Sequence, residues 1–180
     1  DVARFLARGN EAGFKQALMF MMNIPGIPII YYGSEQGFVE RRSAMFAEGY
    51  LSGGEDRFDT ESELYTWIAE LSERRKSNPL FTRGDTVILA DDNEGPGIFA
   101  FKRTLDDESA IVLFNTNDRP ILVNTFDPQL PPGTVLEVAQ SVVNTDNLVV
   151  GADGTMTLAL AGREGMVLMV TDEVIATDGV

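Results

Sequence analysis

From residue 84 onward the chain consists of short apolar segments of strand length, with turn-forming residues between them and no helical pattern. Val, Ile, Phe and Thr are frequent in these segments, as is typical of β-strands, while Gly, Pro, Asn and Asp occupy the gaps. Regularly spaced strands without intervening helices predict an antiparallel β-sandwich. The predicted strands are residues 86–90, 97–103, 110–115, 121–125, 134–138, 147–150, 155–160 and 165–170.

The first 80 residues have a different pattern. Asn10 is a suitable N-cap, and apolar residues then recur at helical spacing up to Met22, before Pro25 ends the pattern. Residues 27–32 form a short Ile-rich run, which predicts a strand buried on both faces, as in parallel sheets. A helix, a tight turn and a buried strand together indicate a parallel α/β unit.

A long loop and a second helix follow this strand. Residues 33–58 contain five glycines and no sustained periodicity, and loops of this length are usually functional or partly disordered. Thr60 and Glu63 fit the S/T-x-x-E capping box, and the amphipathic helix that follows has a basic end before Pro79. The sequence therefore predicts an α/β domain over residues 1–82 and an all-β domain over residues 83–180.

Composition limits the chemistry that this chain can perform. It has no Cys and no His, so disulfides, thiolates and imidazole bases are excluded and proton transfer must use carboxylates. A formal net charge of -14 disfavours nucleic acid and anionic membranes as partners, and no apolar run approaches the roughly 20 residues that span a bilayer. We interpret the charge as a solubility feature; adaptation to a salt-rich habitat is the alternative, which loss of stability in low salt would support.

Several stretches resemble the alpha-amylase family of glycoside hydrolases. Asp1 followed by Arg4 resembles the end of the family's Asn-His-Asp motif, and Gly-Ile-Pro-Ile-Ile-Tyr-Tyr-Gly at residues 26–33 resembles its eighth barrel strand. Residues 62–79 resemble the last helix of the barrel, and residues 84–171 resemble the all-β domain that follows it. The resemblance implies an α/β fold followed by an all-β fold: the last part of a (β/α)8 barrel with a C-terminal antiparallel β-sandwich.

The same resemblance implies a retaining reaction on alpha-glucosidic bonds. In the family one carboxylate attacks the anomeric carbon, a carboxylic acid protonates the leaving oxygen, and a third carboxylate stabilises the positively charged transition state. Asp1 matches this third residue. The nucleophile and the general acid would lie upstream of Asp1, so we expect the chain to be a C-terminal portion without turnover of its own.

The loop after the predicted strand carries a second family feature. Family members often place an acidic residue and an Arg here to bind the glucan chain, and the resemblance implies this role for Glu40 and Arg42. The assignment of the Arg can shift to Arg41. The alternative is that all three residues are solvated loop charges.

Two functions of other classes remain open at the level of the sequence. A non-catalytic carbohydrate-binding β module would use aromatic residues such as Phe99, Phe101 and Phe126, although these alternate as core residues do. A structural or transport-associated homologue that has lost its enzymatic role is the other. Trp67 with Tyr65 could also stack on sugar, but Trp67 falls on the apolar stripe of its helix, which favours core packing.

The resemblance only partly determines the cofactors, partners and localisation of the whole enzyme. We expect no cofactor in this chain, since the acidic turn at residues 91–94 lacks the ligand alternation of an EF-hand loop, while calcium in the full-length enzyme stays open. The expected partner is an alpha-glucan or maltooligosaccharide, together with self-association of the incomplete barrel part. Localisation is not determined, with an extracellular site favoured over the cytoplasm.

Overall fold

The computed structural model describes residues 3–141, 143–144 and 146–176. The chain forms two compact units, residues 1–78 and residues 79–180, which we call the helical unit and the β unit. This division reflects contacts within each unit and does not show that either unit folds independently. The domain boundary predicted at residue 82 therefore stays a prediction. Among the described residues, no helix has the length and apolar composition needed to cross a membrane.

The helical unit contains two α-helices, α1 (Glu11–Asn23) and α2 (Glu63–Ser77), which pack against each other. The predicted cap of α1 is confirmed, since Asn10 Oδ1 accepts a hydrogen bond from Gly13 N at 2.7 Å. The capping box predicted at Thr60 is wrong: the N-cap of α2 is Ser62, whose Oγ accepts from Tyr65 N at 3.3 Å. Glu63 is consequently the first helical residue, and it forms an ion pair with Lys15 of α1.

Apolar side chains fill the contact between these two helices, as the helical spacing predicted. Trp67 lies at the same contact, and its Nε1 donates a hydrogen bond to the carbonyl of Lys15 at 3.2 Å. The methionines of α1 therefore pack in a core, and Trp67 has a structural partner. The buried apolar residues of the two helices are Leu18, Met19, Met22, Leu64 and Leu71.

The strand predicted at residues 27–32 is not present. These residues have no strand assignment, and the side chains of Ile27 and Ile29 are 90% and 80% exposed. A strand exists only through hydrogen bonds to a neighbouring strand, and residues 3–78 as described contain no other strand. The prediction of a parallel α/β unit is therefore wrong for this chain taken alone.

The β unit begins with a short helix, α3 (Leu80–Arg83), and continues as two antiparallel sheets. The larger sheet has the order β1-β2-β3-β8-β5-β6, and the smaller sheet pairs β4 with β7. All eight predicted strands are confirmed, with boundaries that shift by a few residues. They are β1 (Asp85–Asp91), β2 (Ile98–Leu105), β3 (Glu108–Asn115), β4 (Ile121–Phe126), β5 (Thr134–Ser141), β6 (Leu148–Val149), β7 (Met156–Leu160) and β8 (Gly165–Val174).

The main core of the β unit lies between the two sheets. Leu113 of β3 and Leu136 of β5 face Leu158 of β7 in a single apolar cluster. Alternate residues of β3, β7 and β8 belong to this cluster, as the period of two predicted. The chain is accordingly mostly β, with few helices.

Candidate functional site

The segment after residue 32 is anchored by a tight turn. Gly33 and Gly37 both have a left-handed backbone, at φ 78° and 70°, and flank the 3₁₀ turn Ser34–Gln36. The ring of Phe38 packs directly on Gly33, where a Cβ would lie 2.6 Å from a ring carbon. Gly33 is therefore required twice, by its backbone conformation and by this close approach.

Hydrogen bonds connect this turn to the start of α2. The side chain of Gln36 donates to the Asp59 carbonyl at 2.8 Å and accepts from Asp59 N at 3.2 Å. Ser62 Oγ donates to the Glu35 carbonyl at 2.9 Å. The loop predicted at residues 33–58 is thus irregular but held at both ends by defined contacts.

Arg4 connects the N-terminal segment to the same loop. Its Nη1 donates to the Tyr32 carbonyl at 2.8 Å, and its Nε donates to the Glu40 carbonyl. Its guanidinium carbon lies 4.4 Å from the centre of the Tyr31 ring and 5.5 Å from that of Phe38, within cation–π range. The remaining Nη2 is buried and has no hydrogen-bond partner among the described residues.

A second guanidinium lies near Phe38. Arg57 approaches the ring at 5.2 Å, so that Phe38 has Arg4 and Arg57 within cation–π range. The backbone of Arg57 is fixed by a bond from its N–H to the Met45 carbonyl at 2.7 Å. Sequence reasoning missed Phe38 and Arg57, because neither lies in a stretch with a periodic pattern.

A cavity of about 360 Å³ opens beside Arg4. Its charged lining residues are Arg4, Arg41 and Arg42, and no acidic residue is among the described residues that line it. The aromatic residues of the lining are Phe5, Phe14, Tyr31 and Phe38. The described part of the lining therefore combines arginines with aromatic side chains.

The site residues predicted from the sequence lie at different places relative to this cavity. Arg42 lines the cavity, and so does Arg41, the alternative that the sequence left open. Glu40 is exposed and does not line the cavity; its backbone carbonyl, rather than its carboxylate, is the group that contacts Arg4. Asp1 lies outside the described residues.

The Tyr32 phenol lies close to both Tyr31 and Arg4. Desolvation raises the pKa of the Tyr32 phenol, as does its hydrogen bond with Tyr31, while the Arg4 guanidinium opposes the change. Tyr32 is therefore neutral at pH 7. It contributes a hydrogen-bonding group and a ring, not a charge, to the surroundings of Arg4.

Of the three aromatic candidates of the β unit, two are buried and Phe99 is half-buried. Phe101 and Phe126 are 1% and 3% exposed, and Phe99 packs against Phe101 with ring centres 5.9 Å apart. Buried rings cannot stack on a sugar, so Phe101 and Phe126 give no support to a carbohydrate-binding module. Among the described residues, no group of three or more acidic side chains is close enough to hold a metal ion.

Comparison with known proteins identifies relatives over nearly the whole chain. A cyclomaltodextrin glucanotransferase of Bacillus sp. (strain 38-2) is 31% identical over 175 residues, covering 90% of this chain and 22% of that enzyme. An alpha-amylase of Niallia circulans is 28% identical over 176 residues, covering 91% of this chain and 30% of that enzyme. The chain therefore spans less than a third of the length of these relatives.

Solved structures show the same likeness at the level of the fold. An Anoxybacillus alpha-amylase superposes with a TM-score of 0.75 at 24% identity, covering 98% of this chain and 37% of that chain. No protein-family model matches the sequence.

Proposed function

Because the chain belongs to the alpha-amylase family of glycoside hydrolases, we propose that it is the C-terminal portion of a retaining enzyme that acts on alpha-glucans. The observation that carries this proposal is the 31% identity to a cyclomaltodextrin glucanotransferase over 90% of this chain and only 22% of that enzyme. A piece of this size is too small to hold the whole catalytic machinery of such an enzyme. The chain is therefore inactive by itself, and the parent enzyme contains the rest of the barrel.

The exposed apolar surface of the helical unit supports this reading. Ile27 and Ile29 are largely exposed, although their segment has the composition of a buried strand. In the parent, residues 27–32 pair with upstream strands and form the eighth strand of the barrel. Their carboxyl end then leads into the loop that carries Arg41 and Arg42, and active sites of such barrels are built from loops at that end.

Arg4 supports the proposed position of the site. It joins the segment that follows Asp1 to the loop that follows Tyr32 through two hydrogen bonds to backbone carbonyls. In the proposed enzyme this connection holds the Asp1 end of the chain beside the loop with Glu40 and Arg42. Asp1 and the loop with Glu40 and Arg42 thus come from one continuous stretch of the parent.

The site residues have different roles in the proposed reaction. Upstream carboxylates act as nucleophile and general acid, and Asp1 stabilises the positive charge that develops on the sugar in the transition state. Arg42, or Arg41 in its place, donates hydrogen bonds to the hydroxyl groups of the glucan. Glu40 orients the loop through its backbone and offers its exposed carboxylate to a more distant glucose unit.

The test is an activity assay of the parent reading frame, recovered by sequencing upstream of Asp1. Its wild type, Asp1→Asn and Glu94→Gln forms are assayed with starch, maltooligosaccharides and cyclodextrins. Loss of an electrostatic stabiliser costs about 100-fold to 1,000-fold in kcat, which we expect for Asp1→Asn. Glu94 lies in an exposed turn of the β unit, so Glu94→Gln is the control for the loss of one negative charge and should keep full activity.

Two results would contradict the proposal. Sugar release by residues 1–180 alone would show that the chain is active without upstream carboxylates. An inactive parent would show that the resemblance is one of fold, and a structural or carbohydrate-binding role would then take its place.

A further inference from the structure

Residues 44–57, which we call the aromatic loop, are closed by their own hydrogen bonds. Ala44 N donates to the Tyr50 carbonyl at 2.8 Å, and Arg57 N donates to the Met45 carbonyl at 2.7 Å. The second of these bonds brings the two ends of the loop together. Compact loops with close ends that are packed by their own residues are frequently functional.

The aromatic loop holds two rings in water. Phe46 and Tyr50 are 56% and 72% exposed. The turn between them is closed by a bond from Gly49 N to the Phe46 carbonyl at 3.0 Å. A Cβ at Gly49 would lie 2.8 Å from a carbon of the Phe46 ring and 2.2 Å from the Ala44 Cβ, so this packing requires a glycine. Contacts within the loop therefore fix the turn that carries both rings.

The residue after Tyr50 has an unfavourable backbone conformation. Leu51 has a left-handed backbone at φ 55°, and its side chain is 64% exposed. This conformation is unfavourable for a bulky residue, and residues held in it cluster at ligand sites. Since an exposed leucine gains little burial in return, the conformation favours a role of the loop in binding over a role in stability.

The composition of the aromatic loop indicates what it binds. Its charged residues are three acids and one arginine: Glu48, Glu55, Asp56 and Arg57. This excess of negative charge disfavours a polyanion as the ligand. A neutral glucan is better suited, because the C–H face of a glucose ring can pack on the electron-rich face of an aromatic ring. Exposed carboxylates such as that of Glu48 can also accept hydrogen bonds from sugar hydroxyls.

The aromatic loop differs from residues 27–32 in what it lacks. Residues 27–32 have the composition of a strand but no strand to pair with among the described residues of the helical unit. The aromatic loop is closed by bonds between its own backbone groups. It therefore does not need upstream strands to complete its structure, which favours a ligand over the upstream part of the parent as the occupant of its rings.

We propose that the aromatic loop binds an alpha-glucan chain, with one glucose unit packed on Tyr50 and a neighbouring unit on Phe46. The identity of the sugar rests on the proposed function, whereas the binding surface rests on the loop alone. This contact adds to the roles of Asp1, Glu40 and Arg42 and acts on substrate binding, not on the chemical step.

The experiment is a titration of the full 180-residue chain with maltoheptaose, followed by saturation-transfer NMR, which detects weak sugar binding. Glucose is the second probe, because a single glucose unit can cover only one ring. We expect saturable binding of maltoheptaose and weaker binding of glucose. An aromatic contact contributes about twofold to tenfold in affinity, so Tyr50→Ala should weaken maltoheptaose binding by about that factor. Tyr50→Phe keeps the ring and should keep the wild-type affinity.

Tyr65→Ala is the matched control. Tyr65 is also an exposed tyrosine of the helical unit, but it lies on α2, outside the aromatic loop. This variant removes the same side chain and should keep the wild-type affinity. The fluorescence of Trp67 during urea unfolding checks that each variant keeps its fold.

Four results would overturn the proposal. They are the absence of maltoheptaose binding, unchanged affinity in Tyr50→Ala, an equal loss of affinity in Tyr65→Ala, and a dimer in sedimentation that Tyr50→Ala cannot form. The last result would mean that a second copy of the chain covers the rings.

Kinetics of the parent enzyme separate this proposal from the proposed function. An active parent in which Tyr50→Ala raises KM for maltoheptaose and leaves kcat unchanged would support both, because the change removes binding alone. An active parent with an unchanged KM would keep the proposed function and remove this role of the loop. An inactive parent, together with Tyr50-dependent binding of maltoheptaose by the 180-residue chain, would remove the proposed function and leave the binding surface standing.

Discussion

Each unit contains an apolar run of similar composition, but one run is a buried strand and the other is exposed and irregular. Residues 110–114 of β3 are all 2% exposed or less, because β2 and β8 pair with this strand on either side. Residues 27–32 have a comparable composition but no neighbouring strand in the described part of the chain, and the side chains of Ile27 and Ile29 are 90% and 80% exposed. The comparison shows that an apolar run becomes a strand only where the chain supplies its partners.

The units also satisfy their backbone groups differently. In the β unit, strand pairing provides most of the partners for N–H and C=O groups. In the helical unit, the helices bond their own backbone, and one side chain bonds carbonyls at and after the end of α1: Arg75 donates to those of Met22, Ile24 and Gly26 at 2.7, 3.0 and 2.6 Å. Burial lowers the pKa of this guanidinium, which still remains charged at neutral pH. The end of α1 is therefore held by one buried cation.

The largest expected effect is in the core of the β unit. Leu113 is fully buried between the two sheets, so Leu113→Ala should lower the free energy of unfolding by about 2 to 5 kcal/mol through lost burial and a cavity. The measurement is urea unfolding followed by far-UV circular dichroism. Leu122→Ala is the control, since Leu122 of β4 is 63% exposed, and its effect should stay within about 0.5 kcal/mol. Equal effects of the two changes would mean that this core does not stabilise the unit.

This contrast also explains how much could be read from the sequence. The eight strands, α1 with its cap and α2 were predictable, because periodicity and turn residues are local signals. The strand at residues 27–32 was wrongly predicted, since the described residues of the helical unit contain no strand with which it could pair. The role of Arg42 comes from the family resemblance and stays a prediction, whereas the arrangement of Arg4 and Phe38 depends on contacts between distant segments, which no local pattern encodes.

A smaller loss of unfolding free energy is expected at Arg75, whose side chain bonds three backbone carbonyls. Arg75→Met keeps the apolar stem but leaves three carbonyls without this donor, which should cost about 2 kcal/mol, since hydrogen bonds to charged groups are worth about 1.5 to 3 kcal/mol. Trp67 is the single tryptophan and belongs to the helical unit, so its fluorescence during urea unfolding reports on that unit. Lys76→Met is the control, because it removes the same charge from an exposed neighbour. If both variants unfold at the same urea concentration, Arg75 does not hold the end of α1.

The smallest effect is expected at the exposed apolar run itself. Ile27→Thr combined with Ile29→Thr should change the free energy of unfolding by no more than about 0.5 kcal/mol, because side chains already in water lose little burial. Ile111→Thr makes the same chemical change in the core of the β unit and should cost more than about 2 kcal/mol, through lost apolar packing and a buried hydroxyl.

If the Ile27→Thr, Ile29→Thr double variant loses more than about 1 kcal/mol of unfolding free energy, the two side chains are covered in solution. Sedimentation at several protein concentrations would then show whether a second copy of the chain covers them. A dimer that the double variant cannot form would establish the predicted self-association, whereas a monomer would mean that the run folds back on its own chain. A neutral result has a different consequence, since two isoleucines that contribute nothing to the stability of residues 1–180 are available to pair with the upstream strands of the proposed parent enzyme.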